Sequence, residues 1–506
     1  MGSKEKLYVH ITALHPEVTG SCLLVVVHLP NGRKIKFIVD CGLFQEKLYN
    51  ELNKLDFPFA SEDIEFVLIT HNHADHIGKL PLLCKYGFHG KIFTTKPTSK
   101  LLRISLSNSY QIMKEDSQRQ KVKPLYEEED VERVFEYLEP CNIGEGIRIN
   151  PNIKITYFDN GHIIGAGMIL VQISYPGEQD INLFFTGDYK PYNIFKEVQP
   201  IPTWVYGLPM NVIVESTYGD TETKEIQYNF EDDVKMILEQ RKSLFIPVLA
   251  QGRAQEILLI LKQMQDDGRI SKEIPIYLDG NLSHQYTHKY RSGELEIEEE
   301  KLEFLPENFH WVDKDTRPFV MASKGQKIIL TTSGMLDHGP AQLYLPSVIS
   351  NENWAIFLTS YCSEGTLGRK LIDNEFENHA VWIMGQEFYV KAQIYSTSQF
   401  SSHAKADELL ELLSRFKNLK LVLVNHGEKE TKKKFALRVE NADITKRVEV
   451  LGEYTVKLAH YGFIKIMGAK LYTMLKNKQE PPKKEKSDKK KKKLRMICRR
   501  KNSYSR

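Results

Sequence analysis

Four side chains able to bind a metal fall within six residues, His71-Asn72-His73-Ala74-Asp75-His76, directly after the apolar run Phe66-Val67-Leu68-Ile69-Thr70. The run reads as a buried strand, bounded by acidic residues before it and polar ones after. A strand ending in such a cluster has to deliver its carboxyl end to a cleft, because rigid backbone holds the ligands while the loop lets alternate side chains converge. Imidazole suits a borderline ion such as zinc, and a neighbouring carboxylate can complete the coordination. Three histidines and an aspartate at this spacing are too many for one tetrahedral ion and suggest two ions sharing a cleft. The competing reading, a polar loop that happens to be rich in histidine, is weighed down by the compactness and the strand context. An enzyme is what the cluster implies.

A chain of 506 residues exceeds one ordinary hydrophobic core, so two or more domains are expected. No run approaches the roughly 18 apolar residues of a membrane span, and the N-terminus carries no secretory apolar region. Cytoplasmic residence is therefore expected, or nuclear in a eukaryotic host. The six cysteines are scattered without a C-x-x-C pair, which argues for reduced structural thiols and against a thiolate zinc knuckle. Charge is strongly asymmetric. Residues 476–506 hold 15 Lys and Arg against three acids (Glu480, Glu485, Asp488), a net of +12 that leaves −9 for the rest of a +3 chain. Such a tail cannot bury apolar surface and is expected to be disordered when free, with phosphate contact slightly favoured over a purely solubilising role.

Along the first two hundred residues, strands and turns alternate with helices. Residues 23–29 and 34–39 read as a hairpin across the turn Pro30-Asn31-Gly32-Arg33. Near residue 205 the pattern restarts with the buried run Asn211-Val212-Ile213-Val214, then alternates strand and helix as an α/β unit with a mostly parallel sheet does. After about residue 395 the chain resembles its first part again, with a helix over 404–416 and a buried strand over 419–424 leading to Asn425-His426-Gly427. One domain built from the two ends, with a second inserted between them, is the expected arrangement.

Three further candidates lie at the ends of expected strands: His162 after Phe158-Asp159-Asn160-Gly161, Asp188 after Phe184-Phe185-Thr186-Gly187, and His426. A lone strand-end histidine is usually structural, but the same construction repeated after H-x-H-x-D-H changes the odds. Together these residues resemble the metallo-β-lactamase superfamily and its β-CASP branch of nucleic-acid hydrolases. Val214-Glu215-Ser216-Thr217-Tyr218-Gly219, Phe400-Ser401-Ser402-His403-Ala404 and Val424-Asn425-His426-Gly427 are similar to the branch's three motifs. Gly252-Arg253-Ala254-Gln255-Glu256, Thr332-Ser333-Gly334-Met335-Leu336 and Glu364-Gly365-Thr366-Leu367-Gly368-Arg369 match in order as well.

The resemblance implies an α/β fold, a four-layer αββα metallo-β-lactamase sandwich with an inserted α/β β-CASP domain. Its boundaries are expected at 1–205 and 396–475 for the sandwich, 206–395 for the insertion and 476–506 for the tail. It implies two zinc ions. His71, His73, His162 and Asp188 would bind one; Asp75, His76 and His426, with Asp188 bridging, would bind the other, and Asp40 would support the metal loop. Catalytic roles would fall to Asp75, to His403 as general acid and to Glu215 orienting its ring, with Arg253, Ser333 and Arg369 as phosphate contacts. The implied reaction is hydrolysis of single-stranded RNA to a 3′-hydroxyl and a 5′-phosphate, by a water whose pKa falls from 15.7 to about 7 at the metals. Histidine at the third motif favours RNA over DNA. A DNA-directed nuclease and an inactive scaffold subunit are the alternatives. A homodimer or an RNA-processing complex is compatible with the sequence, as is endo- or exonucleolytic cleavage.

Overall fold

The computed structural model describes residues 6–467, apart from 16–17, 46–49, 122, 224–228, 363–364, 375–378, 446, 453 and 460–461. The basic segment 476–506 and Glu364 lie outside the described residues. Alternating burial along the strands organises the two ends of the chain into a pair of facing sheets. In Tyr8–Ala13 and Leu23–His28 every second residue is buried, so one face of each strand belongs to a core. Leu23–His28 and Lys34–Val39 pair antiparallel, with Leu23 opposite Val39 and His28 opposite Lys34, closing the expected hairpin.

The first sheet has eight strands in the order Gly462–Met467, Tyr454–Ala459, Tyr8–Ala13, Leu23–His28, Lys34–Val39, Phe66–Leu68, Lys91–Thr95, Leu138–Cys141. The second has seven: Val448–Val450, Leu419–Val424, Met210–Val214, Ile181–Phe185, Gly167–Ile173, Ile153–Asp159, Gly146–Asn150. Their inner faces share one core, in which Val25, Val27, Phe37 and Leu68 meet Ile155, Ile169, Leu183 and Leu423. On the outer face of the first sheet Val67, Ile69 and Ile92 pack beneath Leu80, Leu83, Leu102, Leu106 and Val131 of covering helices. On the outer face of the second, Leu170, Phe184, Val212 and Val422 pack beneath Leu409, Leu413, Phe435 and Val439. Helix, sheet, sheet, helix is the four-layer arrangement that the resemblance implies.

A third sheet of six parallel strands lies within the insertion, in the order Phe309–Val312, Ile276–Asp279, Ile328–Thr331, Ser243–Pro247, Trp354–Leu358, Gln393–Ser396. Its strands read as continuous apolar runs because both faces are covered. Leu244 and Ile246 enter one core with Val234, Ile257 and Leu261, while Phe245 enters the other with Tyr344, Leu345 and Val348. The expected boundary at 206 falls too early. Met210–Val214 pairs in parallel with both Ile181–Phe185 and Leu419–Val424, placing it inside the second lactamase sheet. An apolar parallel strand looks the same in either sheet, so the run Val212-Ile213-Val214 carried no sign of which one it joins. Among the described residues no helix is long and apolar enough to cross a membrane.

Candidate active site

The carboxyl ends of six strands converge on one edge of the sandwich. Lys34–Val39 delivers Asp40, Phe66–Leu68 the loop 71–76, Ile153–Asp159 His162, Ile181–Phe185 Asp188, Met210–Val214 Glu215, and Leu419–Val424 His426. The loop after Val39 fixes the metal loop through backbone bonds, Cys41 N–H to the His76 carbonyl at 2.7 Å and Leu43 N–H to that of Ala74 at 3.0 Å. A Cβ at Gly42 would lie 1.5 Å from the Asp75 carbonyl oxygen, so only glycine admits this approach. Asp40 and His426 adopt positive φ, 61° and 44°, a conformation Asp and His tolerate better than most residues.

Seven side chains form two groups: His71, His73, His162 and Asp188 in one, Asp75, His76 and His426 in the other, each with ligand atoms within 4.8 Å of one another. In the first, Nδ1 of His73 lies 3.1 Å from Nε2 of His71 and 3.1 Å from Nε2 of His162. Oδ2 of Asp188 stands 3.5 Å from His71 and 3.7 Å from His162. Bonds of about 2.0–2.1 Å to a tetrahedral zinc separate ligand atoms by about 3.3–3.4 Å, and the four distances here, 3.1 to 3.7 Å, lie on either side of that value. Asp188 also reaches the second group, with Oδ2 3.4 Å from Nε2 of His76 and Oδ1 3.1 Å from Nε2 of His426. Nε2 of His76 and Oδ1 of Asp188 are buried without a hydrogen-bond partner. Buried polar atoms rarely stay unpaired, so both fit a cation.

Hydrogen bonds behind the cluster set the tautomers. Asp40 accepts from Nδ1 of His76 at 2.8 Å, from Thr70 N–H at 2.8 Å and from the Thr70 hydroxyl at 2.9 Å. With its proton given to Asp40, the Thr70 hydroxyl accepts from Nδ1 of His71 at 3.0 Å. Nδ1 of His162 donates to the Ser402 carbonyl at 2.7 Å. Each bond leaves Nε2 of its ring free to ligate. Burial depresses the proton affinity of His71 and His162 strongly, of His73 to about 3 and of His426 to about 4, keeping the rings neutral. For His76 burial acts the same way, but Asp188, Asp40 and Asp75 outweigh it and hold its pKa well above the usual value. Asp188 is held well below the carboxylate range; burial opposes this, and His426, His76 and His71 prevail. Burial lifts Asp75 to about 6 against the pull of His76.

Across the same cleft His403 points at the cluster. Its Nδ1 donates to Oε2 of Glu215 at 3.0 Å and its Nε2 lies 4.0 Å from Oδ2 of Asp188. Glu215 is itself held by Tyr189 N–H at 2.5 Å and Thr217 N–H at 3.3 Å. Burial works against charge on His403, yet Glu215 and Asp188 raise it to about 9. A cavity of about 340 Å³ opens beside His73 and His162, between sandwich and insertion.

The expected phosphate contacts are less uniform. Arg253 lines that cavity, but its fork is already engaged, Nη1 with Glu256 at 2.9 Å and Nη2 with the Phe400 carbonyl. Arg369 sits on the helix Leu367–Ile372 with Nε 2.5 Å from Asp373. Ser333 follows Ile328–Thr331, its hydroxyl buried without a partner and outside the cavity wall. Sequence reasoning missed Thr70 and Asn72. Thr70 had one signal, a hydroxyl closing an otherwise apolar run directly before the first ligand. Asn72 is buried and donates through Nδ2 to Gln251 at 2.8 Å and to the Tyr286 hydroxyl at 3.2 Å, both in the insertion; it had none.

Family models match as a metallo-beta-lactamase superfamily domain over residues 30–178, a Beta-Casp domain over 254–371 and a Zn-dependent metallo-hydrolase RNA specificity domain over 389–450. The chain belongs to the metallo-β-lactamase superfamily, in its β-CASP branch. It is similar to ribonuclease TTHA0252 of Thermus thermophilus, 31% identical over 426 residues that cover 82% of this chain and 91% of that protein. It is also similar to transcription termination factor FttA of Lokiarchaeum sp., 30% identical over 431 residues, 81% of this chain. This match spans 65% of the FttA protein's length. An RNase J-like protein of Methanocaldococcus jannaschii is 28% identical over 416 residues, 80% of this chain and 90% of that protein.

Proposed function

We propose that this chain is a zinc-dependent ribonuclease that hydrolyses single-stranded RNA and leaves a 3′-hydroxyl and a 5′-phosphate. The observation that carries the reading is the His403–Glu215 pair at 3.0 Å, aimed at a seven-ligand cluster from the far wall of the cleft. His71, His73, His162 and Asp188 would hold one ion, and Asp75, His76 and His426, with Asp188 shared, the other. A pair of divalent ions bound there supplies Lewis acidity toward a phosphate oxygen and a water acidified to a pKa of about 7. Asp75, with its raised proton affinity, takes the proton that the attacking water sheds. His403, kept protonated by Glu215, gives its proton to the departing 3′-oxygen as the phosphorus–oxygen bond breaks. The RNA specificity model at 389–450 and the name of the Thermus relative support RNA as the substrate class.

The test is cleavage of a 5′-labelled single-stranded RNA by the zinc-loaded protein, with the matching DNA and the His76→Ala and His403→Ala proteins alongside. RNA cut by the unaltered protein, DNA spared and both variants impaired is the expected result. Intact RNA at every protein concentration would refute the reading, and a His403→Ala protein of full rate would remove the general-acid role.

A further inference from the structure

Close to His426 and His403 in the fold, a tyrosine from the insertion reaches across to the sandwich. Tyr361 lies just beyond the strand Trp354–Leu358 and is 44% exposed. Its hydroxyl lies 3.3 Å from Oε1 of Glu428, two residues past His426. Its ring meets Tyr218 edge to face at 6.2 Å, and the Tyr218 ring stands 6.2 Å from that of His403. Two ring-to-ring steps thus connect an exposed aromatic face to the residue that points at the ligand cluster. Tyr361 is held from both sides, by Tyr218 in the sandwich sheet's loop and by Glu428 at the head of the helix Lys429–Asn441.

We propose that Tyr361 is a substrate-positioning residue whose ring stacks on an RNA base adjoining the cleavage point. The proposal rests on the ribonuclease reading and adds the group that fixes the strand. Three features point to a base as its occupant. Every base has a π-face, so stacking on tyrosine binds single strands without reading their sequence. A tyrosine has only two rotatable side-chain torsions, and here its neighbours limit them further, so little entropy is lost on binding. The Glu428 carboxylate beside the hydroxyl disfavours a phosphate there, leaving the ring face as the attractive surface. The Tyr361–Glu428 bond spans sandwich and insertion and leaves the exposed ring face open to a strand.

The experiment compares Tyr361→Ala, Tyr361→Phe and Tyr361→Trp in the full zinc-loaded chain, on a 5′-labelled oligoribonucleotide and on copies with one abasic nucleotide at each position flanking the cleavage site. Binding of each RNA is measured by fluorescence anisotropy, and thermal melting checks that each variant is folded. Expected is a rise in KM of about ten- to a hundredfold for Tyr361→Ala with kcat nearly constant, and wild-type KM for the phenylalanine and tryptophan proteins. One abasic position raises the wild-type KM by the same factor and adds nothing to Tyr361→Ala. A KM unchanged in Tyr361→Ala overturns the proposal. Equal effects of Tyr361→Phe and Tyr361→Ala overturn it too, since the bond to Glu428 alone would then explain them. RNA that stays intact but binds in a Tyr361-dependent way defeats the ribonuclease reading and leaves the platform standing; RNA cut with Tyr361-independent KM does the reverse.

Discussion

Replacing Asp40 by asparagine isolates what the support behind the metal loop does. Asparagine keeps the size of the side chain and tolerates the left-handed backbone found there, φ 61°, so the loop has no new steric reason to move. Its oxygen can still accept from Thr70 N–H, now 2.8 Å away. Its NH2 group, however, would face Nδ1 of His76 and the Thr70 hydroxyl, which lie 2.8 and 2.9 Å from Oδ2 and both donate to it. His76 must then leave a donor unsatisfied or move its proton to Nε2, the atom needed for the metal. A hydrogen bond to a charged group is worth about 1.5–3 kcal/mol, and outer partners of metal ligands typically control about ten- to a hundredfold in affinity. A smaller effect runs the other way, because losing the Asp40 charge weakens the proton that competes for His76. Working at two pH values separates the two, since competition fades as pH rises while the orientation defect remains. Chelator competition on metal-stripped protein should show zinc binding weakened about ten- to a hundredfold. Zinc affinity equal to that of the wild type at both pH values would refute the role of Asp40 behind His76.

Four further outcomes follow from the same geometry. His403→Ala should lower kcat by about 10²–10⁴ with zinc content unchanged in elemental analysis. In the wild type, His403 has a pKa of about 9, raised above its ordinary 6.5, so its stabilising charge is complete below 6.5 and lost as pH climbs through 9. Bound cations oppose that proton, so the alkaline limb of kcat should fall below pH 9, and it should vanish in His403→Ala. Chelation should lower the melting temperature in calorimetry and zinc should restore it, each bound ion adding about 2.7 kcal/mol of stability when zinc is at a hundred times its dissociation constant. Gly42→Ala, whose Cβ would fall 1.5 Å from the Asp75 carbonyl, should displace the metal loop and lose zinc; a variant with full zinc content would contradict that.

The candidate ligands were legible as a cluster because each follows an apolar strand that has to be buried, and a polar group at its end has to face a cleft. His162, Asp188 and His426 carry that signature although they lie far apart in the chain. What was illegible depends on pairing over long distances. The partner of His162 is the Ser402 carbonyl, a backbone atom that every residue owns. Arg253 looked like a phosphate fork, and only the fold brings Glu256 and the Phe400 carbonyl against it. The strand Met210–Val214 was recognisable as a strand, but whether it completes the sandwich or begins the insertion is settled by its partners Ile181–Phe185 and Leu419–Val424.

Asn72 ties these levels together. In the metal loop the side chains of residues 71 and 73 face the ligand cluster, so the one between them points away, toward the insertion. There its amide meets Gln251 and the Tyr286 hydroxyl, and that hydroxyl is bonded in turn to Ser105. A cleft that opened by swinging the insertion outward would exchange Asn72's bonds to Gln251 and Tyr286 for bonds to water, on the residue flanked by His71 and His73. An intramolecular hydrogen bond is worth about 0.5–1.5 kcal/mol net of that exchange, so the closed arrangement and the ordered loop favour one another. Opening of the cleft and order in the loop 71–76 are thereby set against each other at a single residue.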